Sequence, residues 1–312
     1  MEDLIFSFQR VLPLLVYMVF GVFCHHFGII SRDFAVKLNG LVFSLFLPIS
    51  LMMSSYHSAL NGGALLPFTL YAIVALFVIL IVNWVYYERQ PIPGTQKSVM
   101  IQSSYRSNFS LFGVTLVADI LNGAGTGMTE FLIAMVIPLT NVISIFVLQS
   151  HGDEQMDARS FVHTVVRNPL IHGILIGFAL NLLGVTLPGA VEKPLQNLAN
   201  IATPLALVAL GARFSLEDSL RYRPLLIKAV STRLLIVPFL GLTVAALLGF
   251  RGEALVAYLA FFGTPAAVAS YAMAVAMNQD GELAGQILIY TSIFCSFTLF
   301  LFIFAMRHLA LI

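Results

Sequence analysis

The sequence predicts an all-α polytopic membrane protein with ten transmembrane helices, arranged as two inverted five-helix repeats with crossing broken helices 4 and 9. Three observations carry this prediction: the composition, a series of apolar runs and a faint internal repeat. Hydrophobic residues fill 59% of the 312 positions and charged residues only 10%, whereas ordinary soluble domains carry about 25% charge. The composition therefore excludes an ordinary soluble protein.

Ten successive apolar runs of roughly 20 residues are long enough to cross a hydrocarbon core of about 30 Å as helices. They do not alternate between apolar and polar residues, as membrane-spanning strands would. The predicted spans, numbered one to ten, are 10–29, 35–56, 64–87, 98–120, 129–149, 167–187, 193–212, 221–249, 253–277 and 283–306.

The second half of the chain is a faint copy of the first, displaced by 156 positions. The displacement matches several prolines and glycines, such as Pro48 with Pro204 and Gly21 with Gly177, and these residue types mark helix breaks and close packing. Five spans per half reverse the orientation of the second copy. An inverted repeat is characteristic of secondary transporters, whose site lies near the bilayer midplane, although some coincidence arises in any ten-helix protein. We expect repeats over 1–150 and 167–312, joined by a cytoplasmic linker at 151–166.

The distribution of Lys and Arg predicts the orientation. With the N-terminus outside, ten of these residues lie at cytoplasmic ends and four at outer ends, with Arg106 and Arg233 set aside as intramembrane candidates. By the positive-inside rule, both termini face the periplasm or exterior of a bacterial inner membrane. The start, Met1-Glu2-Asp3, lacks the basic residues of a removable signal peptide.

Several classes of site find no support in the sequence. No GxxxxGK[ST], HExxH or GxSxG motif is present, and Cys24 and Cys295 lie far apart in apolar runs without metal-ligand spacing. We therefore expect no cofactor, no metal, no nucleic-acid partner and no enzyme activity.

The fourth and ninth spans each carry a predicted break. Five polar residues between positions 104 and 110 are expensive at bilayer depth unless they face a cavity, which places a break near Asn108. In the ninth span, Pro265 removes a helix donor and disfavours helical geometry at Thr264. Two crossing breaks bring two helix N-termini together, and their free N–H groups form an anion site. The breaks therefore predict a small carboxylate as cargo.

Several motifs make a family resemblance specific. They are Asn108 with Gly113 five positions later, Thr264-Pro265 followed by two alanines, Asn141 after Pro138, and the segment 45–48. With these, over its whole length, the chain resembles the auxin efflux carrier family, which includes plant PIN-type exporters and bacterial carriers assigned to malonate, malate and related acids.

The resemblance implies a scaffold subdomain and a transport subdomain. It implies that Asn108 contacts substrate, that Thr264 and Pro265 are its counterpart, that Asn141 lines the pocket and that Pro48 breaks the second helix. The chain departs from the plant pattern at Thr115, where the family has a crossover proline. The segment 64–69 also lacks the acidic residue of plant members, so proton handling cannot be carried over.

The charged residues offer further candidates with two interpretations each. Arg106 either pairs with a substrate carboxylate as a planar fork or snorkels to the cytoplasmic interface. Glu130 and Asp119 are either proton or cation carriers or solvated charges near the outer interface. Arg233 lies deep enough in the eighth span to need a partner, which the sequence does not name.

The sequence as a whole predicts a secondary transporter that moves a small organic anion, such as malonate, malate or an auxin-like acid, by alternating access. The scaffold would consist of helices one, two, six and seven. The family resemblance also implies that this scaffold is the surface through which a homodimer forms. Proton coupling is left open. One alternative is a sodium-coupled symporter of the bile-acid type, with sodium held by Asn108, Thr264 and Ser270. Others are an intramembrane enzyme and a membrane ligand sensor without transport.

Overall fold

The computed structural model describes residues 2–57, 66–121, 127–152 and 158–312, and all regular secondary structure in these ranges is helical apart from one isolated bridge. The helices are α1 (Glu2–His26), α2 (Arg32–Tyr56), α3 (Leu66–Glu88), α4 (Gly94–Tyr105), α5 (Phe109–Ile120), α6 (Gly127–Ser150), α7 (Ala158–Arg167), α8 (Pro169–Leu182), α9 (Gly189–Arg213), α10 (Leu216–Arg221), α11 (Arg223–Leu247), α12 (Glu253–Gly263), α13 (Val268–Ala276) and α14 (Gly281–His308).

Six of the described helices are long and apolar enough to cross a membrane, namely α2, α3, α6, α9, α11 and α14. The bent pair of α7 and α8, with an angle of 61° between them, makes a seventh candidate. Every predicted span overlaps one of the helices or a broken pair of them. The multi-pass, all-helical architecture is therefore confirmed, and the remaining predicted spans fall on α1 and on the two broken pairs.

The second part of the predicted linker is helical. Residues from Ala158 onward form the helix α7, which Asn168 separates from α8. Phe161 and Val165 pack against the main core, one turn apart on the same side of α7. This apolar stripe explains why part of a polar stretch forms a helix.

Close glycine contacts bring α1 onto α9 and α2 onto α8. A Cβ on Gly21 would collide with the carbonyl of Val208, and a Cβ on Gly177 would collide with the carbonyl of Met52. The displacement of 156 converts the first contact into the second, since it relates Gly21 to Gly177 and Met52 to Val208. Both halves therefore use the same backbone-to-backbone approach.

Two helices contain a π-helical turn instead of a break. In α2 it covers Val42–Phe46, just before Pro48, and in α11 it covers Thr232–Ile236, just before Pro238. A proline has no N–H for the preceding turn, and a π turn absorbs that loss without ending the helix. The expected break at Pro48 is therefore wrong: α2 continues to Tyr56.

Candidate functional site

Two broken helix pairs cross in the interior. The helix α4 ends at Tyr105 and α5 begins at Phe109, while α12 ends at Gly263 and α13 begins at Val268. The segments between them, 106–108 and 264–267, run antiparallel with Ser107 paired to Ala266. Both predicted breaks are confirmed, and the structure brings them into direct contact.

Two backbone hydrogen bonds hold this crossover together. The Asn108 N–H donates to the Pro265 carbonyl at 2.8 Å, and the Ala267 N–H donates to the Arg106 carbonyl at 3.3 Å. Each broken helix thus satisfies backbone groups that the other has freed, which is what irregular backbone at membrane depth requires.

The register of the repeat changes at the crossover. The last residues before the two breaks are Tyr105 and Gly263, which lie 158 positions apart. The first residues after the breaks are Phe109 and Val268, which lie 159 positions apart. Asn108 therefore corresponds in structure to Ala267, and not to Thr264 as the uniform displacement suggests. The second segment is one residue longer than the first.

Arg233, from the π turn of α11, lies where the C-terminal ends of α4 and α12 meet, and its side chain is 1% exposed. Its Nε donates to the Thr264 carbonyl at 3.0 Å and its Nη1 to the Ser104 carbonyl at 3.2 Å. Its Nη2 donates to the carbonyls of Phe261 and Phe262, each at 3.0 Å. These backbone carbonyls are the partner that the sequence does not name.

The energetics favour this arrangement. An arginine at the centre of a membrane helix costs about 2.5–3.5 kcal/mol on an insertion scale, and a hydrogen bond to a charged group contributes about 1.5–3 kcal/mol. Four such bonds to Arg233 offset the insertion cost. They also satisfy carbonyls at the ends of α4 and α12 that have no partner within their own helices.

The opposite ends of the broken helices, the N-termini of α5 and α13, border a cavity of about 140 Å³. At ~30 Å³ for each water molecule, it has room for roughly five waters or for a small solute. The lining residues come from α2, α6, α9 and the crossover: Leu47, Ser50, Leu51, Ser54, Arg106, Ser107, Asn108, Ile137, Thr140, Asn141, Thr203, Ala267, Val268 and Ala269.

Arg106 supplies the formal charge of this cavity, and its residue is 4% exposed. Its Nη2 donates to Oδ1 of Asn141 at 2.7 Å, and its Nη1 donates to Sδ of Met273 at 2.6 Å. No carboxylate in the described ranges forms an ion pair with Arg106. The side chain points inward rather than to a membrane interface, so the cavity carries a positive charge that neutral groups alone contact.

Asn108 adds an unused donor to the same cavity. Its Nδ2 is buried and has no hydrogen-bond partner among the described residues. Leaving a buried polar group unsatisfied costs about 1–3 kcal/mol. The first N–H groups of α13, at Val268 and Ala269, border the cavity as well and have no acceptor within their own helix. Donors therefore converge on a space whose described lining residues include no acidic side chain.

The other predicted site residues lie around the crossover without lining the cavity. Thr264 is fully buried, with its Oγ1 donating to the Ala260 carbonyl and its own carbonyl accepting from Arg233. Pro265 contributes only its carbonyl, which accepts from Asn108. Ser270 lies in the first turn of α13, and its buried Oγ has no partner in the described part of the chain.

Three further predicted residues lie away from the crossover: Gly113 and Asp119 on α5 and Glu130 on α6. A Cβ on Gly113 would meet the ring of Phe109 at 2.9 Å, so this glycine lets α5 pack closely on its own first turn. Glu130 is half-buried in the first turn of α6 and does not line the cavity. The side chain of Asp119 lies outside the described residues.

Sequence reasoning missed the hydroxyl-bearing side of the cavity. Ser50 and Ser54 lie one turn apart on α2, and Thr203 faces them from α9. A signal was present: Leu47 and Thr203 are related by the displacement of 156, and each directly precedes one of the matched prolines. The repeat therefore points to both of these lining positions.

Two larger concavities lie elsewhere and do not compete as the site. One of about 650 Å³ lies between α3 and α11, and one of about 630 Å³ lies between α11 and α14. Both are lined mainly by apolar residues, many of which are exposed on the lipid-facing surface. In the part of the chain that the structure describes, no three His, Cys, Asp or Glu residues are grouped to hold a metal ion.

Comparison with known proteins gives the family. The chain matches the family model described as membrane transport protein over residues 6–160 and again over residues 158–303. The second match begins where α7 begins, so the two segments fit a repeat of one unit. None of the curated proteins matches the chain. The chain belongs to the membrane transport protein family, that of the auxin efflux carriers, and is a multi-pass membrane transporter with a small-molecule substrate.

Proposed function

We propose that this protein is a secondary active transporter of a small organic anion and that the carboxylate of the substrate binds Arg106 in the crossover cavity. One observation carries the proposal: a buried guanidinium without a described acidic partner borders a cavity at two helix N-termini. An unpaired buried charge is strongly destabilising. An anionic substrate supplies the missing charge.

The donors around the cavity suit a carboxylate in particular. A guanidinium presents its N–H groups in a fork that matches two carboxylate oxygens. Asn108 offers an unpaired amide N–H₂, and the N-termini of α5 and α13 add the positive ends of two helix dipoles, about half an elementary charge each. A cation would meet repulsion from all of these groups.

The cavity volume favours a short acid. A space of about 140 Å³ lies well below the roughly 300–1,000 Å³ of pockets for drug-sized ligands. Malonate and malate, with three and four carbons, are closer to this volume than a fused-ring acid of the auxin type. We therefore place short carboxylates first among the candidate substrates.

The arrangement of helices supports alternating access. Helices α1, α2, α8 and α9 pack on one another through the glycine contacts and form the scaffold of our proposal. The cavity lies between this scaffold, which contributes Ser50, Ser54 and Thr203, and the crossover, which contributes Arg106 and Asn108. A site between two bodies is exposed to alternate faces when one body moves against the other.

The two equivalent glycine contacts support two structural repeats, because each contact becomes the other when the first half of the chain is exchanged with the second. Counting α1 and the two broken pairs as crossings gives ten spans, five in each half, with the second half inverted. The excess of Lys and Arg at alternate ends, ten against four, supports both termini facing outward from a bacterial inner membrane.

The test is uptake of radiolabelled malonate, malate and lactate into proteoliposomes under imposed pH or sodium gradients. We expect saturable uptake by the wild type and its loss in Arg106→Gln, which keeps a polar side chain without charge. The control is Arg251→Gln, because Arg251 is exposed and donates to backbone carbonyls far from the cavity. Folded protein that transports none of the acids would contradict the proposal, as would an Arg106→Gln variant with unchanged uptake.

A further inference from the structure

We propose that Arg233 is a tethered cation that occupies the place of a coupling sodium ion, so that the transport cycle of this protein needs no sodium. The inference rests on the proposed function for the existence of that cycle. Its structural basis is the set of backbone carbonyls at the crossover and is independent of the substrate.

In transporters with discontinuous helices, unwound backbone and the C-terminal ends of half-helices coordinate the coupling cation. The C-terminal ends of α4 and α12 meet in this way here. Their carbonyls, from Ser104, Phe261, Phe262 and Thr264, all accept hydrogen bonds from Arg233 at 3.0–3.2 Å. The oxygen atoms that would surround a sodium ion are therefore already used.

The next carbonyl of the same set is also engaged. The Gly263 carbonyl accepts from the Cys295 thiol of α14 at 3.5 Å. Within the described ranges no carboxylate forms an ion pair with Arg233. Five carbonyls at the two helix ends are therefore already engaged, and no ion-paired carboxylate is described beside the guanidinium to favour a second cation.

The charges balance at this point. Each helix C-terminus carries about half a negative elementary charge, so the two ends together carry about one. The single positive charge of Arg233 neutralises them. A free sodium ion would do the same but would exchange with solution, whereas Arg233 is covalently held by α11 and cannot dissociate. A site filled in this way cannot respond to a sodium gradient.

The test measures thermal unfolding of the purified, substrate-free protein in detergent, in NaCl, KCl and choline chloride at equal ionic strength. We expect the same Tm for the wild type in all three salts. For Arg233→Ala we expect a Tm lower by about 5 °C or more, partly restored by low-millimolar guanidinium, well below denaturing concentrations. Arg251→Ala is the matched control, since Arg251 also donates to carbonyls near the end of a helix but is exposed, and its Tm should not respond.

Two results would overturn the inference: a sodium-specific rise in Tm of the wild type, or an Arg233→Ala variant that guanidinium does not stabilise more than the control. If Arg233→Ala does not fold, Arg233→Lys replaces it. That variant keeps a tethered charge and should remain insensitive to sodium, and a sodium-specific stabilisation of Arg233→Lys would contradict the proposal. None of these measurements uses a substrate, so failed uptake of every acid would count against the proposed function and leave this inference standing.

Discussion

Arg106 and Asn141 are joined by a hydrogen bond of 2.7 Å from Nη2 to Oδ1, between two residues that both border the crossover cavity. The amide of Asn141 is itself fixed, because its Nδ2 donates to the Ile137 carbonyl one turn earlier on α6. The asparagine therefore presents its oxygen to the guanidinium and holds it in place without neutralising its charge. An aspartate at this position would hold the arginine equally well, but it would neutralise the guanidinium and so remove its attraction for an anion.

The first prediction follows from this pair. We expect Asn141→Asp to form an internal ion pair with Arg106, to keep or raise the Tm and to weaken the apparent affinity for a transported acid at least ~10-fold, which corresponds to about 1.4 kcal/mol. The measurements are the KM of uptake and thermal unfolding. Asn83→Asp is the control, because Asn83 makes the same bond to a carbonyl four residues earlier, on α3. An unchanged KM in Asn141→Asp would contradict the proposed role of the unpaired positive charge of Arg106.

The second prediction separates charge from fork geometry at Arg106. Arg106→Lys keeps the positive charge but replaces the planar fork with a compact ammonium. We expect uptake to persist with a KM raised at least several-fold, whereas Arg106→Gln abolishes it. A lysine variant as inactive as the glutamine variant would show that the fork geometry, and not the charge alone, is what matters.

The third prediction concerns the orphan donor of Asn108. Its unpaired Nδ2 costs stability, so Asn108→Ala should raise the Tm slightly or leave it unchanged while it impairs uptake. Ser296→Ala is the matched variant, because the Ser296 Oγ is also buried without a described partner but lies on α14, away from the cavity. We expect it to share the gain in stability and to transport normally. A large loss of stability in Asn108→Ala would argue against this explanation.

The fourth prediction uses the equivalent glycine contacts. Gly21→Ala and Gly177→Ala each place a methyl group against a carbonyl of the neighbouring helix, and overpacking of this kind costs about 1–3 kcal/mol. We expect similar falls in Tm for the two variants. Gly40→Ala should be neutral or stabilising, because no atom lies within 4 Å of a Cβ there and alanine favours helix over glycine. Strongly unequal effects of the first two would argue against equivalent repeats.

Much of the fold could be predicted from the sequence, because the length of an apolar run predicts a spanning helix and a proline predicts an interruption, and both signals come from neighbouring residues. The breaks beside Asn108 and at Pro265 follow from polar residues at bilayer depth and from a missing backbone donor. No secondary structure was predicted for α7, since its apolar stripe is short and lies in a polar stretch. The break at Pro48 was expected from the family resemblance, and α2 has a π turn there instead, which absorbs the missing hydrogen bond of the proline without ending the helix.

The candidate site was predictable only in part. Arg106 and Asn108 could be named, because polar side chains are rare in apolar spans, whereas Asn141 was named through the family resemblance. The partners of Arg233 could not, since they are backbone carbonyls contributed by Ser104 and the 261–264 segment, and a carbonyl has no signature in a sequence. The scaffold serines lie among residues that are individually unremarkable, and of the lining positions on α2 and α9 only Leu47 and Thr203 directly precede a matched proline.

The extra residue in the second crossover segment makes the proposed binding site asymmetric. In the register set by the bridge and the two crossover hydrogen bonds, Arg106 corresponds to Pro265, so the arginine of one half has no arginine as its counterpart in the other. A diacid with two chemically identical ends would meet a guanidinium at one end and backbone amides and hydroxyl groups at the other. A chain assembled from two copies of the first half would instead hold two opposed arginines, and its preferred cargo would shift towards a more highly charged anion.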